Sequence, residues 1–195
     1  NIITKKLMPD AGNIKWSSRA TVGYLDQHTV LSKGKTIREV LREAFKHMFD
    51  LEQEMIAMYD KMGEASDDEM SKLLEETAEI QTILENSGFY MIDAKIQEVA
   101  NGLGLGEIGL DKDVTDLSGG QRTKVLLTKL LLENPTILIL DEPTNYLDEE
   151  HITWLTKYLQ EYENSFVLVS HDIEFINNTC NVIYHMENGE LNRYK

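Results

Sequence analysis

Four consecutive aliphatic residues, Ile137-Leu138-Ile139-Leu140, run straight into two carboxylates, Asp141 and Glu142. A short apolar run without polar alternation reads as a strand buried on both faces, which belongs in a parallel sheet. Ahead of it stands Leu117-Ser118-Gly119-Gly120-Gln121, a glycine-opened helix start. Glycines there let backbone N–H groups approach a phosphate, and the helix N-terminus adds positive potential. A buried strand ending on Asp-Glu delivers one carboxylate to a metal and the other to a water. Downstream, helix 149–162, strand 166–170 and helix 172–179 alternate, and a hairpin sets residues 181–185 against Leu191. The expected class is α/β: a mostly parallel sheet with helices on both faces and a small antiparallel part.

The string LSGGQ at 117–121, followed by ILILDEPTNYLD at 137–148 and Val169-Ser170-His171-Asp172, resembles the nucleotide-binding domain of an ABC ATPase. That resemblance implies an ABC-type P-loop NTPase fold with ATP and Mg²⁺ as cofactors. It makes Asp141 a holder of Mg²⁺ and Glu142 the general base or water positioner for attack on the γ-phosphate. His171 would donate a hydrogen bond to the γ-phosphate. Gly23-Tyr24-Leu25-Asp26-Gln27 resembles the segment whose Gln contacts the metal and the attacking water. Ser118, Gly119, Gly120 and Gln121 would close on ATP held by a partner domain, and Asn145 and Asp148 would lie across the interface. One chain thus carries two half-sites, and hydrolysis needs a second ABC ATPase domain.

No G-x-x-x-x-G-K-[ST] loop occurs among the 195 residues. Gly34-Lys35-Thr36 has Thr29 where the upstream glycine should stand, and it reads as a turn. Asn1 to Leu7 reads as the helix that follows such a loop. The expectation is a fragment, cut just after its phosphate cradle, that by itself binds ATP poorly or not at all.

The segment before the signature helix carries an arm. Pro9-Asp10-Ala11-Gly12 is a turn, and Asn13 to Trp16 with Thr21 to Leu25 read as paired strands. Across residues 37–62, Ile37, Leu41, Ala44, Met48, Leu51, Met55, Met58 and Met62 recur at alternating spacings of 4 and 3, an unbroken heptad stripe on one helix. Gly63 caps it, and Ser66-Asp67-Asp68-Glu69 fits a capping box that starts a second helix. Met70, Leu73, Thr77, Ile80 and Leu84 continue the pattern, which makes an antiparallel helical hairpin. After Gly88, Ile92, Ile96, Val99 and Leu103 predict a third helix returning to the body. The chain therefore divides into residues 1–36, the first part of the ATPase core; 37–100, a helical arm insertion; and 101–195, the rest of the core.

Composition narrows the compartment and the partners. The single Cys180 cannot form an internal disulfide, and no apolar stretch approaches the roughly 20 residues of a membrane span. A cytoplasmic protein is expected. Net charge is −15, with +5 over residues 1–42, −11 over 43–100 and −9 over 101–195. Bulk electrostatics therefore oppose nucleic-acid binding. His28, His47, His151 and His185 read as ordinary surface or turn residues.

Leu117 lies 90 positions after Gln27, more than a transporter ATPase needs, and no zinc-binding cysteines stand between them. With the helical arm and a DEPTN-x-LD string, the chain resembles the first ATPase domain of the ABC-F family. Tyr146 stands where that family usually has His. The resemblance implies a partner ribosome (rRNA, ribosomal proteins and tRNA) and a role in translation or in antibiotic resistance. The alternatives are the cytosolic ATPase subunit of a transporter, with a membrane partner, and a non-enzymatic interaction module.

Overall fold

The computed structural model describes residues 7–25, 29 and 31–194. A three-stranded parallel sheet runs in the order β1 (Val22–Tyr24), β2 (Ile137–Asp141), β3 (Ser165–Val169). Its register sets Gly23 beside Leu138, Leu138 beside Phe166 and Asp141 beside Val169. The hairpin expected between 13–16 and 21–25 is not formed: 13–16 has no strand, and β1 pairs with β2 instead. Two threonines fasten that long-range pairing. The Thr21 N–H donates to Thr136 Oγ1 at 2.8 Å, and the Thr136 N–H donates to Thr21 Oγ1 at 3.0 Å. Gly23 is required there, because a Cβ would sit 2.5 Å from Pro135 Cγ and 2.6 Å from Leu130 Cδ1.

One sheet face, with Leu138, Leu140, Phe166 and Leu168, packs into the single core. To that core α1 (Ile37–Arg42) brings Ile37, Val40 and Leu41, and α5 (Gly119–Glu133) brings Val125, Leu127 and Leu131. α6 (Glu149–Gln160) adds Leu155 and Leu159, and α7 (Ile173–Thr179) adds Phe175. Each such side chain contributes about 1.5–3 kcal/mol by leaving water. The opposite face leaves Val167 and Val169 about half exposed. Ile139, on that same face, is buried. A separate antiparallel pair, β4 (Ile183–Glu187) and β5 (Glu190–Tyr194), matches the expected hairpin, with Met186 beside Leu191.

The arm is α2 (Lys46–Met62) packed along α3 (Asp67–Asn86), returning through α4 (Ile92–Gly102). Met48, Leu51, Met55 and Met58 line the seam, partly buried, while Thr77, Ile80 and Leu84 are buried opposite. Gly88, at φ +70°, makes the turn into the return helix. The helix expected over 37–62 is interrupted: Glu43–Phe45 tighten into a 3₁₀ turn between α1 and α2. Glu43 stands at the break. Its carboxylate takes Lys35 at 2.6 Å on one oxygen and Lys129, from α5, at 2.7 Å on the other. The base of the arm is thereby tied to the signature helix. Among the described residues no helix is long and apolar enough to cross a membrane.

Three helices start with the same device. Thr36 and Glu39 at α1, Ser66 and Glu69 at α3, and Ser118 and Gln121 at α5 each form a reciprocal capping box. Glu39 and Glu69 are both held below the usual carboxylate range. The Thr36 backbone N–H is the larger cause for the first, and the Ser66 hydroxyl for the second.

Burial works upward on the Glu43 carboxyl, but hydrogen bonds from Lys129 and Lys35 outweigh it and leave its pKa lowered. A group more acidic in the folded state adds stability above its unfolded pKa and gives that up as pH falls through the folded value. Melting temperature should therefore drop more steeply between about pH 5 and pH 3 in the parent chain than in Glu43→Gln. Calorimetric melts across that range check this, and parallel curves would show that the pair contributes nothing.

Candidate active site

The three parallel strands place their carboxyl ends at one edge of the sheet, where ligands of open α/β sheets bind. β1 ends at Tyr24, β2 ends on Asp141 just before Glu142, and β3 ends before Ser170-His171. Gln27 and His28 lie outside the described residues. The Glu142 N–H donates to the Val169 carbonyl at 2.8 Å, which joins the ends of β2 and β3. At that point Glu142 turns into the left-handed region, φ +48°. A non-glycine residue held there is strained, and such strain concentrates at functional sites.

The turn brings Glu142 to His171. Nδ1 of the imidazole is 2.8 Å from Glu142 Oε2, and that oxygen is otherwise shielded from solvent. The hydrogen bond to Glu142, and then its negative charge, push the His171 pKa above its ordinary value. The imidazole is itself largely exposed, so it closes over the carboxylate from the solvent side. Asp172 follows as N-cap of α7, accepting the Phe175 N–H at 3.0 Å.

Asp141 is exposed at the strand end, on the sheet face of Val169 and Val167. Among the described residues no three His, Cys, Asp or Glu side chains gather to cage a metal. One open carboxylate is nonetheless what Mg²⁺ requires when phosphates and water supply its other ligands. The donor set therefore fits a nucleotide-borne Mg²⁺ and not a free-standing metal centre.

Ser118 opens α5 as an N-cap. Its Oγ accepts the Gln121 N–H at 3.3 Å, and Gln121 Oε1 accepts the Ser118 N–H at 3.0 Å. Gln121 thus spends its side chain on the cap. Among the described residues nothing lies within 4 Å of where a Gly119 Cβ would point, so none of them demands a glycine there. Gly120 faces the Tyr146 ring, whose Cδ1 would be 3.4 Å from a Cβ. Tyr146 therefore brings the 145–148 segment to the start of the signature helix. Asn145 is exposed, with its N–H toward the Glu142 carbonyl at 3.4 Å, and Asp148 caps α6.

One residue set aside in the sequence has a place here. His151 is buried at 8% exposure against Asp148 and is not an ordinary surface histidine. The Asp-x-x-His spacing across a helix start was the available signal, since N-cap and N3 side chains meet. Partial desolvation works upward on Asp148, but the His151 charge and hydrogen bonds hold its pKa below the usual range.

The sheet edge thus sets Glu142 against His171, and Tyr146 links the following segment to the glycine start of α5. The sequence profile of the ABC transporter family matches residues 1–145, and the chain belongs to that family. Its relatives include members of the ABC-F group. It is 66% identical over 194 residues to the Bacillus subtilis (strain 168) protein named "Uncharacterized ABC transporter ATP-binding protein YfmM", matching 100% of this chain and 38% of that one. ABC transporter F family member 2 of Arabidopsis thaliana is 35% identical, over 96% of this chain and 28% of the relative. Energy-dependent translational throttle protein EttA of Haemophilus influenzae (strain ATCC 51907 / DSM 11121 / KW20 / Rd) is 34% identical, over 87% of this chain and 30% of the relative. The chain thus spans less than two-fifths of each of these three relatives.

Proposed function

We propose that this chain is the first ATPase domain of an ABC-F translation factor, which hydrolyses ATP jointly with a second ABC domain and acts on the ribosome in the cytoplasm. The Glu142–His171 pair carries the hydrolytic half of this reading. Glu142, aimed by its strained backbone, takes the proton of the attacking water, and His171 holds the carboxylate and faces the γ-phosphate. Asp141 and Gln27 would hold Mg²⁺ beside the nucleotide phosphates, and the ion would supply charge neutralisation there. Ser118 to Gln121, with Asn145 and Asp148, face the second domain. The free space beside Gly119 leaves room at this helix start for such a partner.

The ribosomal half rests on the relatives and on the arm over residues 37–100. EttA is named for an energy-dependent throttle of translation. A two-helix arm pinned to the signature helix through Glu43 and Lys129 gives a distant contact a route to the ATP site.

The test is sedimentation of the full-length protein carrying Glu142→Gln through sucrose with 70S ribosomes, with and without ATP. Pelleting that depends on ATP supports the reading. ATP binding without pelleting overturns it and favours a transporter subunit, which membrane vesicles holding its partner would then retain.

A further inference from the structure

Beyond the ATP-facing residues, the start of α6 is built around a buried ring. His151 Nδ1 lies against Asp148 Oδ1, and that same oxygen accepts the His151 backbone N–H at 3.4 Å. The Asp148 side chain is itself 66% exposed, so capping alone would leave it free to swing into solvent. The far side of the imidazole is closed by Gly104, where a Cβ would come within 2.6 Å of both Cε1 and Nε2. Gly104 holds φ +76°, a conformation that glycine adopts without cost. One turn along α6, Trp154 covers Gly102 so tightly that a Cβ would be 2.0 Å from Cε2. Gly102 is the last residue of α4, the helix that returns from the arm. Trp154 stacks on Tyr158 at 5.2 Å, and the Tyr158 hydroxyl donates to the Leu131 carbonyl of α5 at 3.0 Å.

We infer that His151 is a positioning residue that sets the orientation of Asp148, and that through Gly104 it makes that orientation depend on where the arm's return helix sits. The buried ring packs directly against the Gly104 backbone, so a shift of the backbone at 102–104 is passed to the ring. The carboxylate follows the ring because its partner is buried while its other side meets water. A displacement of the arm thereby reaches the interface through packed groups. This rests on the reading that Asp148 faces a second ATPase domain.

The experiment is a double-mutant cycle in the full-length protein, reading kcat and KM for ATP. His151→Phe keeps the ring volume and removes the nitrogen, and Asp148→Ala removes the carboxylate. Each should lower kcat about 10- to 100-fold, the scale of a misplaced positioning group, with KM unchanged within about twofold. The double variant should be no slower than the slower single, because both break one contact. His151→Asn, which can still donate to Asp148, should recover part of the loss, and it replaces the Phe variant in the cycle if that variant does not fold. Losses that multiply in the double variant, or a His151→Phe at wild-type kcat beside an impaired Asp148→Ala, overturn the inference. An unimpaired Asp148→Ala overturns the interface reading itself.

Discussion

Replacing Glu142 with glutamine should lower ATP turnover of the full-length protein by at least about 100-fold while ATP affinity stays within about twofold, as expected when a general base is removed but the substrate's contacts are kept. Glutamine matches glutamate in shape, so the φ +48° backbone and the tie from the Glu142 N–H to the Val169 carbonyl can persist. What disappears is the charge that accepts a proton and that keeps the His171 pKa raised. His171 should then lose its proton at lower pH than in the parent. NMR titration of that imidazole reads the change independently of turnover. Single-turnover hydrolysis with equilibrium nucleotide binding checks the kinetic half. A turnover within tenfold of the parent would remove Glu142 from the proton transfer and reduce the pair to a fastening between two strands.

Gly119→Asp should separate folding from activity. Nothing lies within 4 Å of the missing Cβ, so the fold has room for the side chain. An acidic group in the first turn gains about 0.3–1 kcal/mol from the helix dipole, and replacing glycine restricts the unfolded chain. The melting temperature should hold or rise slightly. Turnover in the full-length protein should nevertheless fall about 100- to 1,000-fold, as when an anion-stabilising donor is lost, because a carboxylate would stand where phosphate approaches. Retained turnover with a raised melting temperature would show that no phosphate comes to this helix.

Patterns that close within a few residues were legible in the sequence. The Ser66 capping box, the seam of the arm and the apolar strand ending on Asp141 all depend on local spacing, and each stands where the spacing put it. Features set by distant partners were not legible. The segment 21–25 resembles half of a hairpin until Thr136, more than a hundred residues on, pairs with Thr21 and Pro135 packs over Gly23. The heptad stripe runs unbroken through Ala44, yet the helix tightens into a 3₁₀ turn at Glu43–Phe45, where Glu43 meets Lys129 of α5. The Asp141–Glu142 dipeptide was plain, whereas the strain at Glu142 and its contact with His171 required the alignment of two strands. His151 was missed because its burial comes from Gly104, 47 positions earlier.

The three capping boxes differ in one atom type, and the difference sorts the helices by what each can receive. At α1 and α3 the third residue is glutamate, so an internal anion already sits on the positive end of the helix. At α5 it is the amide of Gln121, and the first turn holds no acidic residue. The signature helix secures the same two hydrogen bonds while keeping its N-terminal potential unneutralised. Acidification that protonates Glu39 and Glu69 would loosen the arm's helix starts and leave this one unchanged. Of these three helix starts, that of α5 is the one whose capping box adds no negative charge to the positive end of the helix.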